Sequence, residues 1–279
     1  MRSIILLSAL FSLAACAEST PSQTADTPVE PPTMTMDEPT LKDISTSLES
    51  VLAAQPEAVQ ARYPFRNPAQ TLDFFGIESG MTVVEALPGG GWYSKILLPY
   101  LGEEGELIGA NYSIDMQRLF SFRTPEQLKK LETWTTDWPE TAATWVEGNS
   151  TPISGFFFGA QPESMAGSAD AVLFIRALHN FARFQNEGNF LTTAIKDAYT
   201  ALKPGGILGV VQHQMREESP DAWAEGNRGY LKQSFVVAQM EAVGFVFEGA
   251  SDINANPKDQ PQDGDIVWRL PPTLMGSRD

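Results

Sequence analysis

The segment 82–94 combines residue types that can bind a nucleotide-like ligand. A β-branched apolar run leads into one acid, Glu85, and three consecutive glycines follow, Gly89, Gly90 and Gly91. Glycines let a ligand approach the backbone closely, and the helix expected after them carries partial positive charge at its N-terminus. We therefore predict a ligand site at this turn. The alternative is an ordinary strand-to-helix turn, although three glycines after a buried strand weaken the element unless something uses the space.

Further polar side chains lie where other predicted strands end. The patterns predict strands over residues 106–111, 144–147, 170–175 and 207–212. The ends of these strands carry, in chain order, Asn111, Asn149, the segment 176–180 and His213. Because ligands of parallel α/β sheets bind at the edge formed by the carboxyl ends of the strands, we expect these residues and the glycine turn to share one edge.

The predicted strands alternate with predicted helices. A helix over 41–61 is interrupted at Pro56, and Thr124 starts another helix with a capping box. A sixth strand is predicted over 245–250 and a weak seventh over 266–270. This alternation implies βαβ units, right-handed crossovers and a largely parallel sheet.

Composition restricts the classes of function. The chain has 279 residues, 42 % of them apolar, which is enough for a sizeable core. Its formal net charge of −16 repels phosphate backbones, so we expect no nucleic-acid partner. The single cysteine, Cys16, excludes an internal disulfide, and the two histidines, His179 and His213, have no spacing that suggests a metal site.

The N-terminus has the features of a targeting signal. A short basic start precedes an apolar run, residues 4–15, which is too short to span a bilayer but typical of a secretory signal. The run ends in Leu13-Ala-Ala-Cys16, which resembles the lipobox of bacterial lipoproteins. The resemblance implies a signal peptide over 1–16 and lipidation of Cys16. The alternative is a signal peptide with a chance cysteine near its cleavage site.

The residues after the lipobox indicate where the folded part lies. Ala17, in place of Asp, favours the outer membrane by the same resemblance. Residues 17–40 are rich in Pro, Thr and acids and predict a disordered tether, which leaves 41–279 as the folded domain. We therefore expect an extracytoplasmic protein, anchored to the envelope by lipid and facing the periplasm.

The motifs around the glycine turn resemble those of class I S-adenosylmethionine-dependent methyltransferases. Glu85-Ala-Leu-Pro-Gly-Gly-Gly91 lies where that superfamily has its acid and glycine-rich turn, and Leu202-Lys-Pro-Gly-Gly206 before a strand is typical of it. Together with the turn, the segments 254–259 and 268–273 are similar to a bacterial group described as predicted methyltransferases. The resemblance covers about residues 60–275. It implies a Rossmann-like three-layer α/β sandwich, a mostly parallel seven-stranded sheet, S-adenosylmethionine as cofactor and a small-molecule or envelope substrate.

The resemblance also implies cofactor-binding roles. The glycine turn, Gly89, Gly90 and Gly91, would let the backbone run close to the methionine part of the cofactor, and Glu85 would lie near the amino group of that part. Asn111 falls where an acid usually binds the ribose, and Asn149 where an Asp often meets the adenine. By its own chemistry Arg176 can meet a carboxylate of the cofactor, or equally form a surface cap or ion pair. The sequence departs from the superfamily pattern at three places. Leu87 replaces the first glycine, and amides replace the carboxylates at 111 and 149, which removes charge-assisted hydrogen bonds.

The two histidines are the candidates for catalysis. In the fold that the resemblance implies, the strands before His179 and His213 are neighbours, so both imidazoles can face the transferred methyl group. A histidine can accept the proton of the attacking hydroxyl or amine, while Asn180 can orient the substrate. The alternative is that both histidines only satisfy backbone groups at strand ends.

Other classes of function compete with an enzyme. The fold can serve as a binding module without catalysis, which the altered carboxylate positions and the extracytoplasmic location favour, because S-adenosylmethionine is not expected to be supplied there. A dinucleotide-binding site is disfavoured because Asn111 stands where that fingerprint has an acid. A purely structural envelope protein would need the polar strand ends to be accidental.

Overall fold

A seven-stranded sheet forms the centre of the computed structural model, which describes residues 2–7, 47–270 and 273–275. In chain order the strands are β1 (Arg2–Leu7), β2 (Thr82–Ala86), β3 (Glu106–Asn111), β4 (Ile153–Phe157), β5 (Ala169–Ile175), β6 (Leu202–Val211) and β7 (Phe245–Ala250). Across the sheet the order is β4-β3-β2-β5-β6-β1-β7, and all neighbours pair in parallel.

Helices separate most of these strands. They are α1 (Leu48–Ala53), α2 (Glu57–Gln60), α3 (Pro68–Phe74), α4 (Ser94–Leu101), α5 (Ile114–Gln117), α6 (Pro125–Leu131), α7 (Trp134–Ala143), α8 (Leu178–Arg183), α9 (Gln185–Gly188), α10 (Phe190–Ala201) and α11 (Gln233–Glu241). Short 3-10 helices cover Tyr63–Phe65, Glu163–Met165, Asp221–Trp223 and Val267–Arg269. Within the described ranges, none of the helices has the length and apolar character needed to cross a membrane.

Two hydrophobic clusters lie on opposite faces of the sheet. Successive residues of a strand point to opposite faces, and Val83 and Val84 of β2 belong to different clusters. The cluster of Val84 includes side chains from α8, α10 and α11, whereas that of Val83 includes side chains from α1, α3, α4 and α7. Helices therefore cover both faces of a parallel sheet, which confirms the predicted three-layer, Rossmann-like α/β sandwich.

The strand order reverses between β2 and β5. The chain runs from β2 outward through β3 to β4, and then returns to place β5 on the other side of β2. The connections after β2 and β5 consequently diverge at their carboxyl ends and leave a crevice between them, where ligands of such sheets bind.

Several sequence predictions are confirmed. Strands β3 and β7 have the predicted bounds, and the first helical region is divided at Pro56 into α1 and α2. Thr124 caps α6, and both hydrogen bonds of its capping box with Gln127 are present.

The predicted strand over 144–147 is wrong. Helix α7 ends at Ala143, and the Trp145 amide closes its last turn by donating to the Ala142 carbonyl at 3.0 Å. The third strand along this part of the sheet is β4, which begins at Ile153. Trp145 packs its ring against Gly91, so tertiary packing overrides the strand preference of this segment.

The predicted weak strand over 266–270 is also wrong. Val267–Arg269 is a 3-10 helix, whose first amide donates to the Arg228 carbonyl at 2.8 Å. The remaining strand of the sheet is β1, which lies between β6 and β7.

Most of the predicted N-terminal features lie outside the described residues. These are Cys16, the tether over 17–40 and the first residues of the domain predicted to begin at 41. The predicted signal peptide over 1–16 overlaps the described part only in Arg2–Leu7, which forms β1.

The turn between β2 and α4 depends on left-handed backbone conformations. Leu87 has φ 57°, Gly89 has φ 55° and Gly91 has φ 73°. Glycine adopts such angles freely, but a side chain with Cβ is strained there by about 1–2 kcal/mol. Leu87, which stands where the resembled superfamily has a glycine, therefore holds this turn at a cost in stability.

We predict that Leu87→Gly is more stable than Leu87→Ala by about 1 kcal/mol, because both variants lose the leucine side chain but only alanine keeps the strained Cβ. Urea unfolding of both proteins measures the difference. The control is the same pair at Lys196 within α10, where alanine is expected to be the more stable by about 1 kcal/mol. Equal stability of the two variants at 87 would contradict the left-handed conformation.

Candidate functional site

A cavity of about 410 Å³ lies at the carboxyl ends of β2 and β5. This is the point at which the strand order reverses, and the volume falls in the range of small-molecule sites, about 300–1,000 Å³. Its walls come from the end of β2 and the turn after it, the start of α4, the end of β5 and the segment before α3. The lining residues are Glu85, Ala86, Leu87, Pro88, Gly90, Trp92, Tyr93, Lys95, Ile175, Arg176, Val59, Arg62 and Arg66.

Glu85 is a buried acid in the wall of this cavity. Only 4 % of the residue is exposed, and its Oε2 accepts a hydrogen bond from the Ser94 hydroxyl at 2.6 Å. Burial raises the pKa of the carboxyl group to about 7, against the opposing effects of the Ser94 hydrogen bond and the Arg66 charge. The group is therefore poised to take either charge state near neutral pH.

The three glycines of the turn have different surroundings. A Cβ at Gly90 would meet no described atom within 4 Å, and Gly90 lines the cavity. A Cβ at Gly91 would overlap the ring of Trp145, so a glycine is required there by packing as well as by its backbone angle. Gly89 is exposed and its Cβ position is open, with only the Leu87 carbonyl oxygen nearby at 3.8 Å. Of the three glycines, Gly90 is therefore the one that both lines the cavity and has an open Cβ position.

Arg176 reaches the cavity from the end of β5. Its backbone has φ 57°, and its amide donates to the Val211 carbonyl at 2.6 Å. Burial lowers the pKa of its guanidinium, and the neighbouring Arg62 contributes in the same direction. A left-handed arginine beside a cavity is a strained conformation of the kind that clusters at functional sites.

Three further cations of the cavity were missed at the sequence level: Arg62, Arg66 and Lys95. Arg62 and Arg66 lie 27 and 23 residues before Gly89 in the chain. The Tyr93 hydroxyl brings the two regions together by donating to the Arg66 carbonyl at 3.3 Å. The one sequence signal was two closely spaced arginines in a strongly acidic chain.

The structure brings the two predicted catalytic histidines together. The ring centroids of His179 in α8 and His213 after β6 are 6.4 Å apart. Burial lowers the pKa of His179 to about 4 and that of His213 to about 3, the latter helped by the charges of His179 and Arg176. Both imidazoles are therefore neutral at pH 7, and with pKa values this low they are weak bases.

The histidines lie outside the lining of the cavity. Neither ring lines the cavity, although Arg176 lies close enough to His213 to influence its pKa. His179 Nδ1 is 3.3 Å from Gln212 Oε1, and its ring is 5.9 Å from that of Trp268. The histidines thus form a pair outside the cavity lining, with His179 buried and His213 partly buried.

The predicted substrate and ribose residues make contacts within the protein. Asn180 lies close enough to the Tyr112 hydroxyl to lower its pKa, against the larger effect of burial, which raises it. Asn111, at the end of β3, accepts from the Tyr112 amide at 2.8 Å and from Gln117 Nε2 at 3.4 Å through its Oδ1. Neither side chain lines the cavity.

The prediction that Asn149 ends a strand at the ligand edge is wrong. Asn149 precedes β4, at the amino end of the strand, because the strand predicted over 144–147 does not form. Its Nδ2 donates to the Thr151 carbonyl at 3.0 Å, and Thr151 bonds the Leu98 carbonyl in α4. This places Asn149 at the opposite edge of the sheet from the cavity.

In the described residues, no group of three or more His, Cys, Asp or Glu side chains is arranged to hold a metal ion.

We predict that Glu85→Gln removes a pH dependence of stability. The folded pKa of about 7 lies above the ordinary value of 4.5, so protonation of Glu85 stabilises the folded protein. This stabilisation is complete below about pH 4.5 and is lost as the pH rises through about 7. Relative to Glu85→Gln, the wild type should lose up to about 3 kcal/mol of unfolding free energy between pH 5 and pH 8.

Urea unfolding of both proteins at several pH values measures this difference. Ser94→Ala is the companion variant. Removing the hydrogen bond that favours the carboxylate should raise the pKa of Glu85 further, so the loss of stability should continue to a higher pH than in the wild type. A difference between wild type and Glu85→Gln that does not change with pH would contradict the raised pKa.

No protein-family profile and no curated protein matches the chain. Similar solved structures include a SAM-dependent methyltransferase from Aquifex aeolicus, with 15 % identity over 71 % of this chain and 88 % of that one, and a TM-score of 0.43. An arsenic(III) S-adenosylmethionine methyltransferase from Chlamydomonas reinhardtii has 18 % identity over 71 % of this chain, and a TM-score of 0.39.

A possible exported protein from Bordetella parapertussis has 19 % identity over 71 % of this chain, and a TM-score of 0.40. The chain spans only 61 % of the algal enzyme and 66 % of the Bordetella protein. At such low identities and TM-scores these likenesses carry no argument about this chain, whose fold is given by its own strand order and helices.

Proposed function

We propose that the protein is an S-adenosylmethionine-dependent methyltransferase whose cofactor binds in the cavity between the ends of β2 and β5. The observation that carries this proposal is the combination of a buried acid, Glu85, with an open glycine, Gly90, at the point where the strand order reverses. A ligand can approach the backbone at Gly90 because nothing in the described structure occupies the space of a side chain there.

The cavity residues suit the charged groups of this cofactor. In its ionised form Glu85 can accept hydrogen bonds from the amino group of the methionine part, and an ammonium beside it would favour that form. Arg176 can bind the carboxylate of the same part through its guanidinium. The cofactor supplies an activated methyl group on a sulfonium.

The two histidines are the candidate proton acceptors. His213 and His179 are both neutral at pH 7, and Arg176, which lines the cavity, is close enough to His213 to lower its pKa. With pKa values this low the imidazoles are weak bases, so proximity and alignment of the acceptor with the methyl group supply most of the rate in this proposal. In this proposal the acceptor is a small molecule or an envelope component.

A binding module without catalysis is the second candidate. The observation that favours it is the contact pattern of Asn111, whose amide oxygen is engaged with Tyr112 and Gln117. Such a module would bind a ligand in the same cavity but transfer no methyl group. Binding without turnover on any acceptor separates it from the enzyme.

We predict micromolar binding of S-adenosylmethionine and S-adenosylhomocysteine to the purified full-length protein, corresponding to about −8 kcal/mol. Gly90→Val should weaken this binding by at least about a hundredfold, because the new side chain projects into the cavity. Isothermal titration calorimetry measures both proteins.

The matched control is Gly249→Val in β7, where a Cβ likewise meets nothing within 4 Å. This variant should bind as the wild type does. If the wild type shows no binding at millimolar cofactor, the methyltransferase proposal fails. If Gly90→Val binds normally, the cavity at the turn is not the cofactor site.

We also propose that the protein is a lipoprotein of the bacterial envelope, anchored through Cys16 and facing the periplasm. The sequence Leu13-Ala-Ala-Cys16 after an apolar run supports this. Cys16→Ser should release the protein from the membrane fraction, because the lipid chains supply the anchor.

Cell fractionation followed by mass spectrometry of the membrane-bound protein checks the anchor. The expected mature chain begins at a lipid-modified Cys16. A membrane-bound protein that still contains residues 1–15, or a Cys16→Ser variant that stays in the membrane fraction, would contradict this assignment.

A further inference from the structure

The cavity carries more positive charge than the proposed cofactor can balance. Four cations line it, Arg62, Arg66, Lys95 and Arg176, whereas Glu85 is the one acid among its lining residues. None of the four takes part in the ion pairs formed within the described ranges. The net formal charge of the whole chain is −16, so this concentration of cations runs against the general composition.

S-adenosylmethionine leaves most of this charge uncompensated. It has two positive groups, the sulfonium and the ammonium, and a single carboxylate. If Arg176 binds that carboxylate, the other two arginines of the cavity still have no anionic partner. Burying cations without a partner is costly, which favours a second anion in the same cavity.

Arg62 and Arg66 both lie near one aromatic ring. The Arg66 guanidinium carbon is 4.4 Å from the centroid of the Trp92 ring, and that of Arg62 is 6.0 Å from it. Both residues also line the same cavity, where one bound group can contact them. Burial and the nearby Arg176 and Arg62 charges lower the pKa of Arg66 to about 9, which shows that these cations repel one another.

Two donors at this place have no hydrogen-bond partner. Arg66 Nε and Trp92 Nε1 are both buried and form no hydrogen bond with any described residue. Stacking on the indole ring partly offsets the charge of Arg66, but a ring face does not accept the hydrogen bond of Nε. Buried donors are normally satisfied, so their lack of a partner indicates a group supplied from outside the chain.

We propose that Arg62 and Arg66 bind an oxyanion, a carboxylate or phosphate group, of the methyl acceptor. This inference rests on the proposed function in identifying the anion as part of the methyl acceptor. The oxyanion site itself is inferred from the residues that line the cavity. Arginine suits such a group because its planar fork donates two hydrogen bonds to two oxygens. The acceptor is accordingly an anionic molecule, either free in solution or presented as the headgroup of a lipid.

The exposed side chain of Phe65 lies in the chain between the two arginines. It is 77 % exposed, the largest exposure among the exposed large hydrophobic side chains of the described residues. An aromatic ring between two cations is the composition found where proteins contact anionic interfaces. The test therefore includes a lipid arm besides the soluble anions.

The test is titration of the full-length protein, without cofactor, with inorganic phosphate, with succinate and with vesicles containing phosphatidylglycerol. Arg66→Met keeps an apolar stem against Trp92 but loses the charge. Arg183→Met is the matched control, because Arg183 also stacks on a ring, at 4.8 Å from Phe184, and does not line the cavity. We expect Arg66→Met to weaken binding by about tenfold or more and Arg183→Met by less than about twofold.

Each outcome decides the proposal. Binding of phosphate or succinate that is lost in Arg66→Met supports a soluble anionic acceptor, and binding of vesicles alone that is lost in the same variant supports a lipid headgroup. Absence of binding to all three probes, or equal loss in Arg66→Met and Arg183→Met, overturns it.

Titration of Arg66→Met with S-adenosylmethionine separates this inference from the proposed function. Because Arg66 also lines the cofactor cavity and its charge lowers the pKa of Glu85, a loss of cofactor affinity much smaller than the loss of oxyanion affinity is expected if Arg66 serves the acceptor. A loss comparable to that of the oxyanion would assign Arg66 to the cofactor and overturn the inference. A wild type that binds the oxyanion but not S-adenosylmethionine would refute the proposed function and leave the oxyanion site standing.

Discussion

The hydrogen bond between Ser94 and Glu85 joins the three parts of the site. Glu85 belongs to β2 and Ser94 begins α4, so this 2.6 Å contact closes the strand–turn–helix unit across its glycines. The bond is buried, where a lost partner costs more than at the surface. Because the turn is fixed at both ends, Gly90 and the neighbouring backbone keep an open surface at the carboxyl end of β2. The cavity, its arginines and the histidine pair are all positioned relative to this unit.

Charge is distributed unevenly between the surface and the cavity. The chain as a whole is acidic, yet the cavity walls carry four cations around one carboxyl group whose pKa is raised to about 7. A protonated Glu85 would leave the cations wholly unbalanced, whereas an ionised Glu85 would balance one of them at a desolvation cost. Ligands that bring anions are therefore favoured by Arg66 and Arg62, and ligands that bring an ammonium are favoured by Glu85. A cofactor and an anionic acceptor bound together satisfy both conditions.

Local patterns predicted the elements well where local physics decides them. The buried run of β3, the capping box at Thr124 and the break at Pro56 each depend on residues close together in the chain. The strand predicted over 144–147 failed because the packing of Trp145 on Gly91, far away in the sequence, decides that segment. Arg62 and Arg66 were missed for the same reason, since only the folded chain brings them to the glycine turn. The sequence therefore located the edge of the sheet that forms the site, but not most of its charges.

Strand β1 of the sheet overlaps the predicted signal peptide. Residues 2–7 lie between β6 and β7 and pair in parallel with both, so they supply backbone partners to two strands at once. The same residues begin the apolar run that is typical of a secretory signal. If processing removes them, the facing edges of β6 and β7 lose those hydrogen bonds, and backbone groups left unpaired in a sheet are costly and prone to pair with another strand. A processed protein must therefore either join β6 to β7 directly or pair these edges with another segment, whereas a retained N-terminus keeps the sheet as it stands. How the β6–β7 side of the sheet is completed therefore depends on whether residues 2–7 remain in the mature chain.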